Sequence, residues 1–488
     1  MAHKSPSAAI HQRLSHPVID SDGHWVEFEP VLLEYLDGVA GPSMVDRFRR
    51  EDYLAGLGSW SRMTLEERSA RRPIQPAWWG LPARNALDRA TSMLPKLMYE
   101  RLDDIGLDFA IAYPTLALFF PTIKDHEVAL AGYRAYNMMA AELFKGLGDR
   151  LIPAACIPMN TPSEALAELE FATGRGLKAM MMTSLMRRPI KAAHKNGEPD
   201  RYATWPDELG LESEYDYDPV WAKCVELRVV PTFHSGSQGI GTRVSYSNFV
   251  YNHIGHFAAA GEAVCKSLFL NGVTRRFPTL KFAFLEGGVG WACMLFSDLI
   301  GHWKKRNLAA LENTNPANLD VAAVAESFRH YGDERLAAHV SALGSLNHLL
   351  GDIEPLDDFG RCGITRPEDI RDMFVPNFYF GCEADDPVNA WAFRPGANPY
   401  GVRLHAIMGS DIGHFDVTDM TEVLAEAYEL VERRQLDEEG LRDFVFGNPV
   451  RFWGGANPNF FKGTVVEKPA AECLAREHAP QQAAAAGS

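Results

Sequence analysis

The stretch RLIPAACIPMNTPSEALAELEFATGRGLKAMMMTS, residues 150–184, reads as strand, helix, strand. Its two outer runs, 150–159 and 176–184, are short, apolar and β-rich. Between them Thr161 is placed to cap a helix, Pro162 falls at its first position, and apolar residues follow at helical spacing. Two strands joined by a crossover helix form a parallel pair. The same alternation continues with HPVIDSDGH near the start, GLDFAIAYPT (106–115), RVVPTFHSG (228–236), LKFAFLEGG (280–288), NFYFGCE (377–383) and LHAIMGSDIGHFD (404–416), which brings the strands to eight. Eight βα units are the number that closes a (β/α)8 barrel. A doubly wound open sheet also alternates, but no GxGxxG opens a helix after the first strand, so its dinucleotide-binding version lacks its usual signature. The expected fold class is α/β, a (β/α)8 TIM barrel with long insertions.

A bare barrel takes about 250 residues, and this chain has 488. The expected barrel domain runs over 17–455, with insertions at about 25–100, 186–218 and 302–375. The first is rich in Trp and Arg (RRPIQPAWWG, with Trp78 and Trp79 candidates for an aromatic lid or for the insertion's own core). Each insertion follows a strand and so belongs over the C-terminal mouth, where it can shape a pocket or a subunit contact. Residues 456–488 form a C-terminal extension whose end, QQAAAAGS, reads as a frayed tail.

Composition narrows the partners. The chain is 46% hydrophobic and 23% charged with a formal net charge of -16, which argues against nucleic acid or an anionic membrane surface, both of which call for basic patches. Seven cysteines without a CxxC, an odd number, suit buried thiols in a reducing compartment. The opening residues lack the apolar stretch of a secretory signal and no segment approaches a membrane span. The expectation is a cytoplasmic protein acting on a small molecule.

Barrel enzymes place their chemistry at the C-terminal ends of the strands. Those ends carry Asp22 and His24 on the first, His234 on the fifth, Glu286 on the sixth, Glu383 on the seventh, and Asp411 with His414 on the eighth. Singly, each reads as a turn or cap residue. Together they form a mixed nitrogen and oxygen set suited to zinc or a similar divalent ion. His253 and His256 are three apart on what reads as the fifth helix and so share a face; they are expected to pack or to support the site from near the helix start. Arg243 in the fifth loop, and Arg187 with Arg188 after the fourth strand, are candidates to hold an anionic substrate through the guanidinium fork.

The motifs Asp22-Gly23-His24, PTFHSGS and GSDIGH, in this order, resemble the amidohydrolase-related proteins, particularly the branch typified by aminocarboxymuconate semialdehyde decarboxylase. Further similarity lies in residues 136–170, in LNGVTRRFPTLKFAFLEGGVGWA (270–292) and in FGNPVRFW (446–453). The resemblance implies one divalent metal ion, zinc with manganese as the alternative, held by Asp22, His24, His234 and Asp411, with an open position for water or substrate. It also implies non-oxidative loss of carbon dioxide from a small carboxylated aromatic or ring-derived acid, and a homodimer. One departure stands out. Where the decarboxylase ends its sixth strand in His-Gly-Gly, with the histidine acting on the metal-bound water, this chain has Glu286-Gly-Gly. Glu286 is therefore expected as catalytic base, or as a further ligand. His414 is expected to orient substrate or the Asp411 carboxylate, and Arg243 and His256 to bind substrate. Metal-assisted hydrolysis of a carbon-carbon, amide or ester bond is the alternative reaction, since it uses the same ligands.

Overall fold

A computed structural model describes residues 4–51, 57–76, 80–81, 83–193, 203–234, 236, 241–343 and 356–485. Trp78 and Trp79 lie outside the described residues. Eight strands form one sheet: β1 Ile19–Trp25, β2 Phe109–Pro114, β3 Leu151–Ile157, β4 Ala179–Met182, β5 Pro231–Phe233, β6 Phe282–Phe284, β7 Phe378–Glu383 and β8 His405–Gly409. They are hydrogen-bonded in sequence order and every adjacent pair is parallel. Seven fall inside the runs read from the sequence, and β1 runs one residue past its own, to Trp25.

The sheet closes between its first and last strands. The amide of Asp411 donates to the carbonyl of Asp22 (3.0 Å) and that of His24 to the carbonyl of Ile412 (2.8 Å). Asp20 reinforces the seam, accepting from the Ser410 amide (3.0 Å) and hydroxyl (2.6 Å). Gly23 is needed here because a Cβ at this position would lie 2.5 Å from Asp20 Oδ2. The motifs DSDGH and GSD thus close the barrel as well as ending its strands. Every residue of β1, β2 and β3 is buried, as expected of parallel strands covered on one face by helices and on the other by the barrel interior.

The helix Pro162–Gly174 begins where the sequence places it, with Thr161 accepting from the Glu164 amide. In the first insertion, the helices Glu29–Ala40 and Pro42–Arg50 pack on the outer helix His126–Leu143, with Arg47 paired to Asp125 (2.7 Å) and Glu127 (2.8 Å). Its later part reaches the loop after β5: Trp60 Nε1 donates to the Tyr246 carbonyl and the Gln75 amide to that of Ser245. The second insertion carries an antiparallel ribbon, Met186–Pro189 against Thr204–Asp207. At the C-terminus the helix Glu467–Ala485 starts against the body of the protein, where Val466, Ala470 and Cys473 are buried. All seven cysteines are buried. Among the described residues no helix is long and apolar enough to cross a membrane.

Candidate metal centre

β1 delivers Asp22 and His24 to the C-terminal mouth, β5 delivers His234, and the turns after β6 and β8 deliver Glu286 and Asp411. His24 Nε2 lies 3.0 Å from His234 Nε2, 3.6 Å from Asp22 Oδ1 and 3.5 Å from Asp411 Oδ1. His234 Nε2 is 3.4 Å from Asp22 Oδ1 and 3.3 Å from Glu286 Oε2. The tautomer of His24 is set from behind: its Nδ1 lies 2.9 Å from the Pro114 carbonyl, which only accepts, so Nδ1 carries the proton and Nε2 presents its lone pair to the cluster.

His414 stacks on His24, ring centroids 3.8 Å apart, with Nδ1 2.6 Å from Asp411 Oδ1 and Nε2 3.3 Å from the Thr115 hydroxyl. It lies directly against the Asp411 carboxylate. Thr115, at the end of β2, and the Pro114 carbonyl were not anticipated. The strand-end frame contained both, in AYPT, but neither residue type announces a metal or acid-base role.

The electrostatics explain why these groups need a partner. Asp22 Oδ1, Asp411 Oδ2, Glu286 Oε2 and His234 Nδ1 are buried and have no hydrogen-bond partner among the described residues. Burial, then the negative charge of Asp22, pushes the Glu286 carboxyl well above its usual range. Burial followed by Glu286 does the same to Asp411. Burial, then the neighbouring His414 and His234, pushes His24 well below the usual imidazole value. Unpaired carboxylates beside neutral imidazoles in a desolvated site are costly without a cation between them. The atoms fit a metal ion: His24, Glu286, Asp411 and His414 form one group, and Asp22, His24 and His234 another, with ligand atoms within 4.8 Å of one another in each.

The backbone is strained at the same place. Glu286 adopts φ of 55°, a left-handed conformation uncommon for residues other than glycine, asparagine and aspartate; Asp411, of a type that tolerates it, adopts φ of 51°. Such strain clusters at functional sites, where the surroundings hold it.

The chain matches the profile of the family described as Amidohydrolase over residues 19–337, well over half its length. The chain belongs to the amidohydrolase family. Among solved structures, this amidohydrolase is similar to one from Mycobacterium avium subsp. paratuberculosis K-10, at 17% identity and a TM-score of 0.49, covering 90% of this chain and 100% of that one. It is also similar to 5-carboxyvanillate decarboxylase from Novosphingobium aromaticivorans DSM 12444, at 14% identity and a TM-score of 0.46, covering 90% and 97%. A third is 2,6-dihydroxybenzoate decarboxylase from Rhizobium, at 12% identity and a TM-score of 0.43, covering 90% and 98%. No curated protein matches the amidohydrolase chain.

Beside the cluster opens a cleft of ≈ 500 Å³, lined in part by His253, His256, Glu286, Glu383, Asp416 and Phe415. Two expectations for this region change. His253 and His256 do not share a continuous helix: His253 ends Phe249–His253 and His256 begins His256–Leu270, because Gly255 between them takes φ 67°. Their rings nonetheless meet, centroids 5.1 Å apart, and both line the cleft. Burial, then the charges of His253 and Arg243, pushes His256 down to about 3, and its Nε2 has no hydrogen-bond partner among the described residues.

The two arginines after the fourth strand are engaged around the second insertion. Arg188 is buried, donating to Asp207 (3.0 Å), the Tyr217 hydroxyl (2.9 Å) and the Asn160 carbonyl (2.8 Å), so it ties the second insertion to the barrel. Arg187 bonds Thr204 along the same ribbon. Arg243 donates to the Ile254 carbonyl (3.0 Å) and is not among the residues lining the cleft.

Proposed function

We propose that this chain is a metal-dependent enzyme that removes carbon dioxide, without redox change, from a small carboxylated aromatic or ring-derived acid. One observation carries the reading: buried carboxylate and imidazole groups of Asp22, His24, His234, Glu286 and Asp411, with unpaired atoms on all but His24, converge at the mouth of a barrel in the amidohydrolase family. The resemblance of the DGH, HSGS and GSDIGH motifs to the decarboxylase branch supports carbon dioxide loss.

In this reading Asp22, His24, His234 and Asp411 hold one divalent ion, zinc first and manganese second, since imidazole and carboxylate donors suit both. A bound ion supplies Lewis-acid polarisation of the substrate's oxygens. The chain's own residues do the rest. His414 fixes Asp411, and Pro114 fixes His24. Glu286 passes a proton to the ring carbon bearing the carboxyl group; the carbon–carbon bond breaks, its electron pair takes up that proton, and carbon dioxide departs. His256 and Phe415 flank the ring. The acid-lined outer cleft, with Glu383 and Asp416, favours ring hydroxyl or amine donors over a second carboxylate.

Hydrolysis is the second reading, favoured by one specific observation: the turn after β6 offers the carboxylate of Glu286, a group suited to act as general base on water. The test is to assay the zinc- and manganese-loaded protein for carbon dioxide release from hydroxylated and aminated benzoic acids, with ester and amide substrates in parallel. Release that disappears in Glu286→Gln supports decarboxylation. Turnover of the esters or amides alone replaces it with hydrolysis, and no turnover of either class removes both.

A further inference from the structure

The opposite end of the barrel holds a second cleft that the proposed chemistry does not use. Its volume is ≈ 450 Å³, and it lies at the N-terminal ends of the last three strands. Lys281 stands just before β6, Tyr379 lies in β7, Arg403 and Leu404 lead into β8, and His405 begins it. Asp443, Asn448 and Arg451 complete the wall from the segment that contains the FGNPVRFW motif.

In a chain of net charge -16, this wall is cationic. Lys281, Arg403 and Arg451 line it with Asp443 as the one lining carboxylate among the described residues. Asp443 is divided between two of them, 3.0 Å from Arg451 Nη1 and 3.6 Å from Arg403 Nη1, and Arg403 also meets the exposed Glu439 at 3.1 Å. Lys281 is held in place by its bond to the Arg451 carbonyl (2.5 Å), with its ammonium 5.5 Å from the Tyr379 ring centroid.

Two further observations point to a ligand. His405 stacks on Tyr379 with centroids 4.5 Å apart, and its Nδ1 is buried with no hydrogen-bond partner among the described residues. Burial first, and then the charges of Lys281 and Arg451, push this imidazole down to about 3. Residues Asp443–Gly447 also form a π-helical turn between the helices Glu438–Arg442 and Asn448–Ala456. Such turns recur at functional sites, and this one separates Asp443 from Asn448 and Arg451 around the cleft.

We propose that this cleft binds a small oxyanion, a phosphate or carboxylate group, gripped by the Arg403 and Arg451 guanidiniums and the Lys281 ammonium. Guanidinium forks match such groups in two parallel hydrogen bonds, and the ammonium adds a point charge. The N-terminal face of a barrel ordinarily serves stability alone; an anion here makes it a second ligand site, remote from the metal cluster and independent of the reaction proposed for it.

The probe is inorganic sulfate, titrated calorimetrically into the metal-loaded full chain, with phosphate and malonate titrated separately to name the head group. Saturable binding is expected, weakened about tenfold in Arg403→Gln and in Lys281→Gln. It should persist unchanged in Arg243→Gln, which removes a cation at the opposite face. Arg403 is partly exposed and paired to an exposed glutamate, so that variant decides the matter even if Lys281→Gln folds poorly. Absence of saturable binding by all three anions overturns the proposal, as does binding that is indifferent to Arg403→Gln.

Discussion

His24 Nε2 and His234 Nε2 lie 3.0 Å apart, carried to one point by β1 and β5. The proton of His24 is committed to the Pro114 carbonyl through Nδ1, so its Nε2 offers a lone pair toward the second ring. Two such nitrogens attract only across a proton or a cation, and the unpaired oxygens of Asp22, Glu286 and Asp411 around them favour the cation.

Metal binding should therefore stabilise the fold. At a free concentration 1,000 times its dissociation constant, a single ion contributes about 4 kcal/mol. Zinc or manganese added to chelator-treated protein should raise the thermal midpoint by several degrees, and Asp22→Ala with His24→Ala should abolish the shift. A midpoint that ignores metal in the parent protein would remove the metal centre from this account.

Glu286 separates activity from stability. Its φ of 55° costs a residue with a Cβ about 1–2 kcal/mol, a penalty glycine escapes, and its buried carboxyl is unpaired. Glu286→Gly should raise the thermal midpoint of the metal-free protein while turnover falls by about 10²–10⁴-fold, the range lost with a general acid or base. Glu286→Gln should lose turnover comparably yet keep one equivalent of metal by elemental analysis. Loss of metal in that variant would make Glu286 a ligand.

The barrel was legible because all eight strands are short apolar runs separated by helix-spaced segments, a pattern that topology cannot disguise. The cluster was legible for the same reason: Asp22, His24, His234, Glu286, Asp411 and His414 all end strands or follow them directly, so the frame alone places them together. What escaped were features that depend on pairing across the chain. Nothing in TSLMRRPI distinguishes an exposed arginine from Arg188, whose partners Asp207 and Tyr217 come from a later part of the insertion. The helix break between His253 and His256 turns on one left-handed glycine, which helical spacing does not reveal. The Asp20–Ser410 seam joins residues 390 positions apart.

Arg188 tests that distinction. As a buried ion pair losing one partner, Arg188→Ala should cost about 3–5 kcal/mol, because Asp207 is left charged and desolvated. Denaturant unfolding measures the loss, and the Michaelis constant of the folded fraction should stay close to that of the parent. A folded, undiminished protein with a sharply raised Michaelis constant would instead return Arg188 to the substrate.

Stability should also depend on pH through His11. Its Nε2 lies 2.7 Å from Asp108 Oδ2, and that hydrogen bond raises the imidazole above its usual 6.5, with burial opposing and the Asp108 charge adding to the rise. Because the folded value is the higher one, folding takes up a proton. The stabilisation is complete below about pH 6.5, the unfolded value, and is lost as pH climbs through the folded value. The pair is partly exposed, so its worth is about 0.5–1 kcal/mol. The difference in unfolding free energy between the parent and His11→Gln should be largest at pH 5.5 and shrink toward pH 8.5; a difference that grows with pH would contradict the pairing of His11 with Asp108.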